Sequence, residues 1–301
     1  MKFTVEYPIE RHDYAPDFRH PDNLARFVQG AESAGFDAIC FSEHPAPSRK
    51  WLAAGGHHTF DPVAALAFCA GVSARIRLMT NLLVLPYRNP LLAAKSLSTV
   101  DILSGGRLTV VAGTGYLKSE FAALGVDFAE RNQLFDEAAE AIAQAWSGEP
   151  MSFVGRHFQA LDQQLQPTPV QSRAPLWIGG NSALARDRVV RYGQGWSPLL
   201  TTTLPASTVR TASIDTVGQL ADAISRLREQ LHEAGRDPDT VDIQVEAPGD
   251  GDDTEIQAHL DALGELAAAR VTWVLVHMPT AGVPAALDAI GHYGKQIIQA
   301  R

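Results

Sequence analysis

Short apolar runs alternate with segments of helical periodicity almost from end to end of the chain. Alternation of this kind predicts parallel strands joined by helical crossovers. The predicted strands are Phe3–Tyr7, Ala38–Phe41, Arg77–Leu85, Leu108–Ala112, Leu176–Ile178, Gly195–Leu199, Val241–Glu246 and Val271–His277. Eight units predict an α/β fold that closes into a (β/α)8 TIM barrel. A doubly wound open sheet is the alternative architecture, although it lacks the GxGxxG fingerprint of dinucleotide-binding sheets.

One stretch departs from this rhythm. Residues Gly148 to Pro175 show no helical period, and the segment MSFVGRHFQ predicts a small hairpin around Gly155. The stretch is too short to own a core. We therefore predict a single domain over residues 1–301, with this non-helical insertion following the fourth strand–helix unit and preceding the fifth strand.

Composition narrows the class of protein. An apolar fraction of 46% with 20% charged residues is ordinary for a globular chain with a large core. The net charge is −9 and the basic residues are scattered, which argues against nucleic acid or an anionic membrane as a partner. No apolar run approaches the roughly 20 residues that cross a bilayer, and the N-terminal segment lacks an apolar signal core. We expect a cytoplasmic protein.

The two cysteines, Cys40 and Cys69, lie in apolar segments without metal or redox spacing. Such residues are typically buried free thiols, which suits a reducing compartment. Two polar loops are also expected, one Thr-rich at Thr201–Thr211 and one acidic at Gly249–Asp253.

The third predicted strand, within RLMTNLLVLPYRNP, contains a polar pair, Thr80 and Asn81. A buried amide without a partner costs about 1–3 kcal/mol. The pair therefore indicates a packing accident, a bulge or the wall of a site.

Sites in barrels of this class lie at the C-terminal ends of the strands. Beyond the polar pair, that rule selects Glu43 and His44, Gly113 to Tyr116, Gly179 to Ser182, Ser197, Glu246 and His277.

Two of these segments are rich in glycine. Gly179-Gly180-Asn181-Ser182 leads directly into a helix and is either an anion cradle of backbone N–H groups or a plain turn with Asn181 or Ser182 as the helix cap. The segment Gly113-Thr114-Gly115 either lets the backbone approach a flat ligand or is simply a loop.

His44 is the best acid–base candidate, because the pKa of a free imidazole lies near neutrality. Its neighbour Glu43 is placed to accept a hydrogen bond from a ligand, although adjacent residues of an extended segment point opposite ways. A helix cap or surface histidine is the alternative reading of His44. His57 and His58 lack a metal-site spacing and a third ligand, so we expect no metal site.

Several motifs occur together in one order: GFDAICFSEH, WLAAGGHHTFDP, TNLLVLPYRNPLLAAKSLSTVDILSGGRL, GTGYLKSEFAALGVDFAER, GRHF, PLWIGGNS and DAIGHYG. In this combination the chain resembles the bacterial luciferase-like monooxygenase superfamily, and within it the oxidoreductases that use coenzyme F420. The resemblance covers nearly the whole chain.

The resemblance implies a barrel that is usually a homodimer, with the cofactor ring over strand three. It implies a non-proline cis peptide there, which would fall at Asn81-Leu82, with Thr80 beside it. It also implies cofactor contacts from the loop Gly113 to Tyr116, and a cofactor phosphate on Gly179, Gly180 and Asn181. The acidic-plus-His pair maps onto Glu43 and His44.

One departure bears on the substrate. The deazaflavin glucose-6-phosphate dehydrogenases of this group carry Glu after GTG, whereas this chain has Tyr116, and no basic residues for a sugar phosphate are evident. The leading hypothesis is an F420-dependent oxidoreductase acting on a small organic molecule, with His44 as proton relay and Tyr116 as second donor. An FMN-dependent monooxygenase using O2 and a non-catalytic flavin-binding barrel are the alternatives.

Overall fold

Eight parallel strands form a closed barrel in the computed structural model, which describes residues 1–201, 211–248 and 256–300. The barrel strands are β1 (Lys2–Glu6), β2 (Ala38–Phe41), β3 (Arg77–Val84), β4 (Leu108–Gly113), β7 (Leu176–Gly179), β8 (Gly195–Ser197), β9 (Asp242–Glu246) and β10 (Trp273–Val276). Their order around the barrel is β1-β10-β9-β8-β7-β4-β3-β2, so each strand pairs with two neighbours. The predicted TIM barrel is confirmed, and the open sheet is excluded because β1 and β10 pair.

Helices lie between these strands. They are α1 (Pro21–Ala34), α2 (Arg49–Ala53), α3 (Pro62–Val72), α4 (Pro90–Ser104), α5 (Lys118–Ala123), α6 (Arg131–Trp146), α7 (Ala183–Arg191), α8 (Val217–Glu233), α9 (Ile256–Ala268) and α10 (Val283–Tyr293). Local chemistry sets several of their ends. Asn89 caps α4 by accepting from the N–H groups of Leu91 and Leu92, and Asp61 caps α3 by accepting from the N–H of Ala64. The last helix continues beyond α10 as a π-helical segment, Gly294–Ile298.

The core has two layers. Inside the barrel, a small cluster of buried side chains comprises Ala38, Cys40, Met79, Val111, Trp177, Trp273 and Leu275. A larger cluster fills the space between the strands and the surrounding helices. Both cysteines are buried and free, as predicted, and burial raises the pKa of the Cys69 thiol to about 12. In the part of the chain that the structure describes, no helix has the length and apolar character of a membrane span.

The predicted insertion contains the expected hairpin. Strands β5 (Met151–Val154) and β6 (Gln159–Gln163) pair antiparallel, apart from the barrel. Asp101 of α4, which is fully buried, connects the end of the insertion to the barrel layer. Its carboxylate accepts from the backbone N–H groups of Val170 (2.8 Å) and Gln171 (3.0 Å), and from Gln171 Nε2 (2.7 Å). Asp101 is therefore one of the residues that hold the insertion, and the sequence did not single it out.

Two sequence expectations fall where little is described. The acidic loop expected at residues 249–253 lies outside the described residues, as does most of the Thr-rich loop expected at 201–211.

Removing the Asp101 carboxylate should loosen the insertion selectively. We expect Asp101→Ala to lower the free energy of unfolding by about 3 kcal/mol, because three donors lose a buried charged acceptor. Urea denaturation measures this loss, and hydrogen exchange should show faster exchange at Val170 and Gln171. Asp127→Ala is the control, since Asp127 is exposed and accepts one bond, from Ala129 N–H; its cost should be about 1 kcal/mol. Equal losses for the two variants would contradict the anchoring role.

Candidate active site

Strand β3 carries an irregularity at its C-terminal end. The Asn81-Leu82 peptide is cis, and the register between β3 and β4 shifts between Asn81 and Leu83. This confirms both the predicted bulge and the predicted cis peptide. The polar pair noted in the sequence therefore marks the wall of the barrel mouth.

The bulge directs the Leu82 side chain toward the ends of β4 and β7. A Cβ added to Gly113 would lie 2.7 Å from Leu82 Cδ1, and one added to Gly179 would lie 2.5 Å from Leu82 Cδ2. Real Cβ atoms are not found that close to another carbon. A side chain at either position would therefore have to displace Leu82, and the predicted cofactor contacts of Gly113 and Gly179 stay predictions. Thr114 and Gly115, which follow Gly113, are half-buried.

The two polar residues of the strand have different positions. Thr80 is fully buried and its Oγ1 donates to the carbonyl of Val111 at 2.8 Å. This bond gives Thr80 a role within the sheet, and its contact with a cofactor stays a prediction. Asn81 is half-buried, and its side chain hydrogen-bonds Glu6 at the end of β1.

Glu43 lies at the end of β2 and is also buried. One carboxylate oxygen accepts from Val84 N–H at 2.6 Å, and the other forms an ion pair with Arg88. Burial raises the pKa of Glu43 to about 7, against the influence of Arg88 and the Val84 N–H. Because both oxygens have protein partners, Glu43 holds the end of β3 in place. Its predicted hydrogen bond to a ligand stays a prediction.

His44 points the other way and is tied to an acid that sequence reasoning missed. Its Nδ1 lies 3.3 Å from Oε2 of Glu120, whose side chain is only 1% exposed. The same Glu120 oxygen accepts from Tyr87 OH at 3.0 Å, and its other oxygen accepts from Ala46 N–H at 3.2 Å. An Nδ1–H donated to Glu120 would fix the imidazole orientation and leave Nε2 for a reacting group.

Aromatic rings enclose His44. Its centroid lies 4.4 Å from that of Trp51, 4.9 Å from that of His57 and 6.0 Å from that of Tyr116. The long loop after β2 therefore covers this side of the mouth. Burial, with the charge of Glu120, raises the pKa of Tyr116 to about 12, so the phenol keeps its proton at neutral pH.

The loop after β7 is a shaped turn. Gly180 has a φ of +102°, and its carbonyl accepts from the indole Nε1 of Trp196 at 2.8 Å. Asn181 is buried; its amide nitrogen donates to the carbonyls of Leu199 and Ala212, and its Oδ1 accepts from Leu199 N–H. Its side chain is therefore a structural clamp. Ser182 caps α7 by accepting from Ala185 N–H.

A basic residue missed in the sequence stands beside this loop. Arg186, in the first turns of α7, donates Nη1 to the carbonyl of Asn181 at 3.1 Å. Its Nε is buried and has no hydrogen-bond partner within the described chain. Burial, together with the charge of Arg226, lowers the pKa of Arg186. An unsatisfied guanidinium N–H is thus present close in sequence to the N-terminus of α7, and both groups suit an anion.

A second group of titratable residues lies at and just after the C-terminal ends of β1, β9 and β10. His277 Nε2 lies 2.9 Å from Glu246 Oε1, and its Nδ1 lies 3.5 Å from oxygens of both Glu6 and Glu10. Burial alone would lower the pKa of His277, but the carboxylates of Glu10, Glu246 and Glu6 raise it to about 11. Burial and the charge of Glu10 hold the pKa of Glu6 well above its usual range.

The chain is similar to known proteins in sequence and in structure. A family model described as luciferase-like monooxygenase matches residues 1–274. The F420-dependent hydroxymycolic acid dehydrogenase of Mycobacterium tuberculosis is 32% identical over 58% of this chain and 48% of its own length. The FMNH2-dependent dimethylsulfone monooxygenase of Pseudomonas putida is 29% identical over 56% of this chain and 46% of its own length. The chain spans about half the length of these curated relatives.

Among solved structures, the monooxygenase RslO1 of Streptomyces bottropensis superposes with a TM-score of 0.80. The match covers 100% of this chain and 99% of the other at 20% sequence identity. At that identity it establishes the shared barrel fold.

The contact between Leu82 and Gly179 can be tested by a double-mutant cycle. We expect Gly179→Ala to cost about 2 kcal/mol of unfolding free energy, because the new methyl displaces Leu82. In a Leu82→Ala background the same substitution should cost less than about 0.5 kcal/mol, since the space is free. Gly71→Ala in α3, which meets nothing within 4 Å, is the control and should be neutral or stabilising. Additive costs in urea denaturation would show that Leu82 is not the obstacle.

His57 should make stability depend on pH. Burial, with the nearby His44 and His58, lowers the pKa of His57 to about 4. In the unfolded chain His57 is protonated below about pH 6.5, whereas in the folded chain it stays neutral until about pH 4. The free energy of unfolding should therefore fall as pH drops from about 6.5 to about 4. His57→Gln should flatten this slope by up to about 1.4 kcal/mol per pH unit, measured by urea midpoints. His58→Gln, at the exposed neighbour, removes only the smallest of these three causes, so most of the slope should remain; equal effects of the two substitutions would refute the assignment.

Proposed function

The chain belongs to the luciferase-like monooxygenase family, and we propose that it is an F420-dependent oxidoreductase acting on a small organic substrate. The observation that carries the proposal is the setting of His44: an imidazole fixed by the buried Glu120, enclosed by aromatic rings, at the C-terminal mouth of the barrel. The F420-dependent relative from Mycobacterium tuberculosis supports the choice of cofactor. When bound, the deazaflavin supplies the hydride chemistry.

The residues present fit such a cofactor. Its anionic part would be held by the N-terminus of α7 and by Arg186, whose buried Nε otherwise lacks an acceptor. Its ring would rest on the wall formed by Asn81 and Leu82, which the cis peptide and the two flanking glycines shape.

The protein itself would supply a proton donor for the reaction and would exclude water from the reacting groups. We assign His44 Nε2 as the atom that holds or releases the proton, because Nδ1 is engaged by Glu120. Tyr116 is the second donor, since its raised pKa keeps the phenol protonated. Trp51 and His57 shield this group from water.

A second candidate is an FMN-dependent monooxygenase that uses O2, favoured by the similarity to the dimethylsulfone monooxygenase of Pseudomonas putida. It would use the same pocket with a different cofactor.

A cytoplasmic location accords with the two unpaired cysteines. We also propose a homodimer, because Leu92 and Leu103, three helical turns apart on α4, are 71% and 59% exposed; light scattering tests it.

Separate fluorescence titrations with FMN and with oxidised F420 test the cofactor. We expect F420 to bind in the micromolar range or tighter, with little response to FMN. Arg186→Ala should raise the Kd for F420 about 10-fold through loss of a charge-assisted contact. Arg191→Ala, at the other end of α7 and paired with Asp136 at 3.8 Å, is the matched control and should keep the Kd. Micromolar FMN binding without any response to F420 would sink the proposal in favour of the monooxygenase.

The proton relay is tested separately. A panel of small alcohols, aldehydes and enones is screened for F420 reduction or F420H2 oxidation, and the best substrate is used. His44→Ala should lower kcat about 10²–10⁴-fold while the F420 Kd changes less than about 3-fold. Glu120→Gln should lower kcat less and shift the pH profile, as expected of a positioning residue. Loss of cofactor binding with unchanged kcat would reassign His44.

A further inference from the structure

We propose that Glu6, Glu10 and His277 form a divalent-metal site at the barrel mouth, suited to Zn²⁺. Glu6 ends β1, Glu10 follows it in the next loop, and His277 comes directly after β10. One ligand atom from each lies within 4.8 Å of the others. Among the described residues, these are the side chains that converge in this way.

Glu10 points to an occupant. Both of its carboxylate oxygens are shielded from solvent, and its side chain is only 10% exposed. Its ion-pair partner, His277 Nδ1, is 3.5 Å away, beyond the ordinary range of a hydrogen bond. A buried carboxylate held by one ion pair of this length is poorly compensated, which is costly. Because solvent does not reach these oxygens, the missing partner is small, as a metal ion is.

The spacing fits tetrahedral coordination. Zn²⁺ lies about 2.0–2.2 Å from nitrogen and oxygen ligands, which places neighbouring ligand atoms roughly 3.3–3.6 Å apart. His277 Nδ1 is 3.5 Å from Glu6 Oε2 and 3.5 Å from Glu10 Oε1. The histidine is therefore already at ligand distance from both acids.

A supporting shell is present. Glu246 Oε1 lies 2.9 Å from His277 Nε2 and would take its proton in a hydrogen bond, leaving Nδ1 for the metal. Asn81 hydrogen-bonds Glu6 and orients that carboxylate. A set of one imidazole and two carboxylates favours Zn²⁺ over Mg²⁺ and Ca²⁺, which prefer oxygen alone.

The test uses the full-length protein, stripped with a chelator and free of F420, so it is independent of the proposed cofactor. Calorimetric titration with Zn²⁺ alone, and metal analysis after gel filtration, should give one ion per chain with a Kd in the micromolar range or tighter. Co²⁺ should give the strong visible absorption of a tetrahedral site. Absence of stoichiometric Zn²⁺ would overturn the proposal, even if F420 binds.

Variants locate the ion. His277→Ala should weaken Zn²⁺ binding at least 100-fold, and Glu246→Gln about 10–100-fold. Glu10→Gln, which keeps the side-chain shape, provides the same test if His277→Ala fails to fold. His157→Ala is the matched control, because His157 pairs with Glu130 at 3.1 Å outside the cluster; it should bind Zn²⁺ like the wild type. Unchanged binding in both His277→Ala and Glu10→Gln would place the ion elsewhere and refute the site.

Discussion

The shape of the site depends on one packing contact at the end of β3. The bulge at Asn81-Leu82 pushes the Leu82 side chain across the mouth of the barrel, where it occupies the space that side chains on Gly113 and Gly179 would need. Three sequence features that look independent, a polar interruption and two glycine-rich turns, are therefore one steric constraint. The wall it makes is apolar, because a leucine side chain and bare backbone form its surface. Any ligand at this end of the barrel meets a surface that is fixed by three strands at once.

Around that wall, buried acids do the positioning. Glu43 ties the end of β2 to β3 through Val84 and Arg88, and Glu120 holds His44. A buried carboxylate is tolerated only when donors surround it, and a fully satisfied network specifies one geometry. The cluster at His277 differs, because one of its acids, Glu10, is held only by a long ion pair of 3.5 Å to His277 among the described side chains. This contrast distinguishes Glu43 and Glu120, which hold the site together, from Glu10, which we propose binds a metal ion.

The sequence predicted the barrel and the hairpin insertion, because period and turn chemistry are local properties. It also located the bulge, since a cis peptide at Asn81-Leu82 was expected from the resemblance. It failed where function depends on contacts between distant segments. Nothing local marks Glu120, which looks like a surface acid on a short helix but is only 1% exposed. The resemblance implies cofactor contacts at Thr80 and Asn181, but nothing local shows that their side chains also hydrogen-bond the carbonyls of Val111 and Leu199.

The convergence on Glu120 has a consequence for how such barrels diversify. Its carboxylate receives groups from the βα units of β2 and β3, through His44, Ala46 and Tyr87, although it belongs to the unit after β4. Three consecutive loops thus share one anchor. A loop exchanged alone between relatives would leave either the acid or its donors buried without partners. The loops after β2, β3 and β4 must therefore be exchanged together for these contacts to be kept. Recombination that exchanges a single βα unit breaks them.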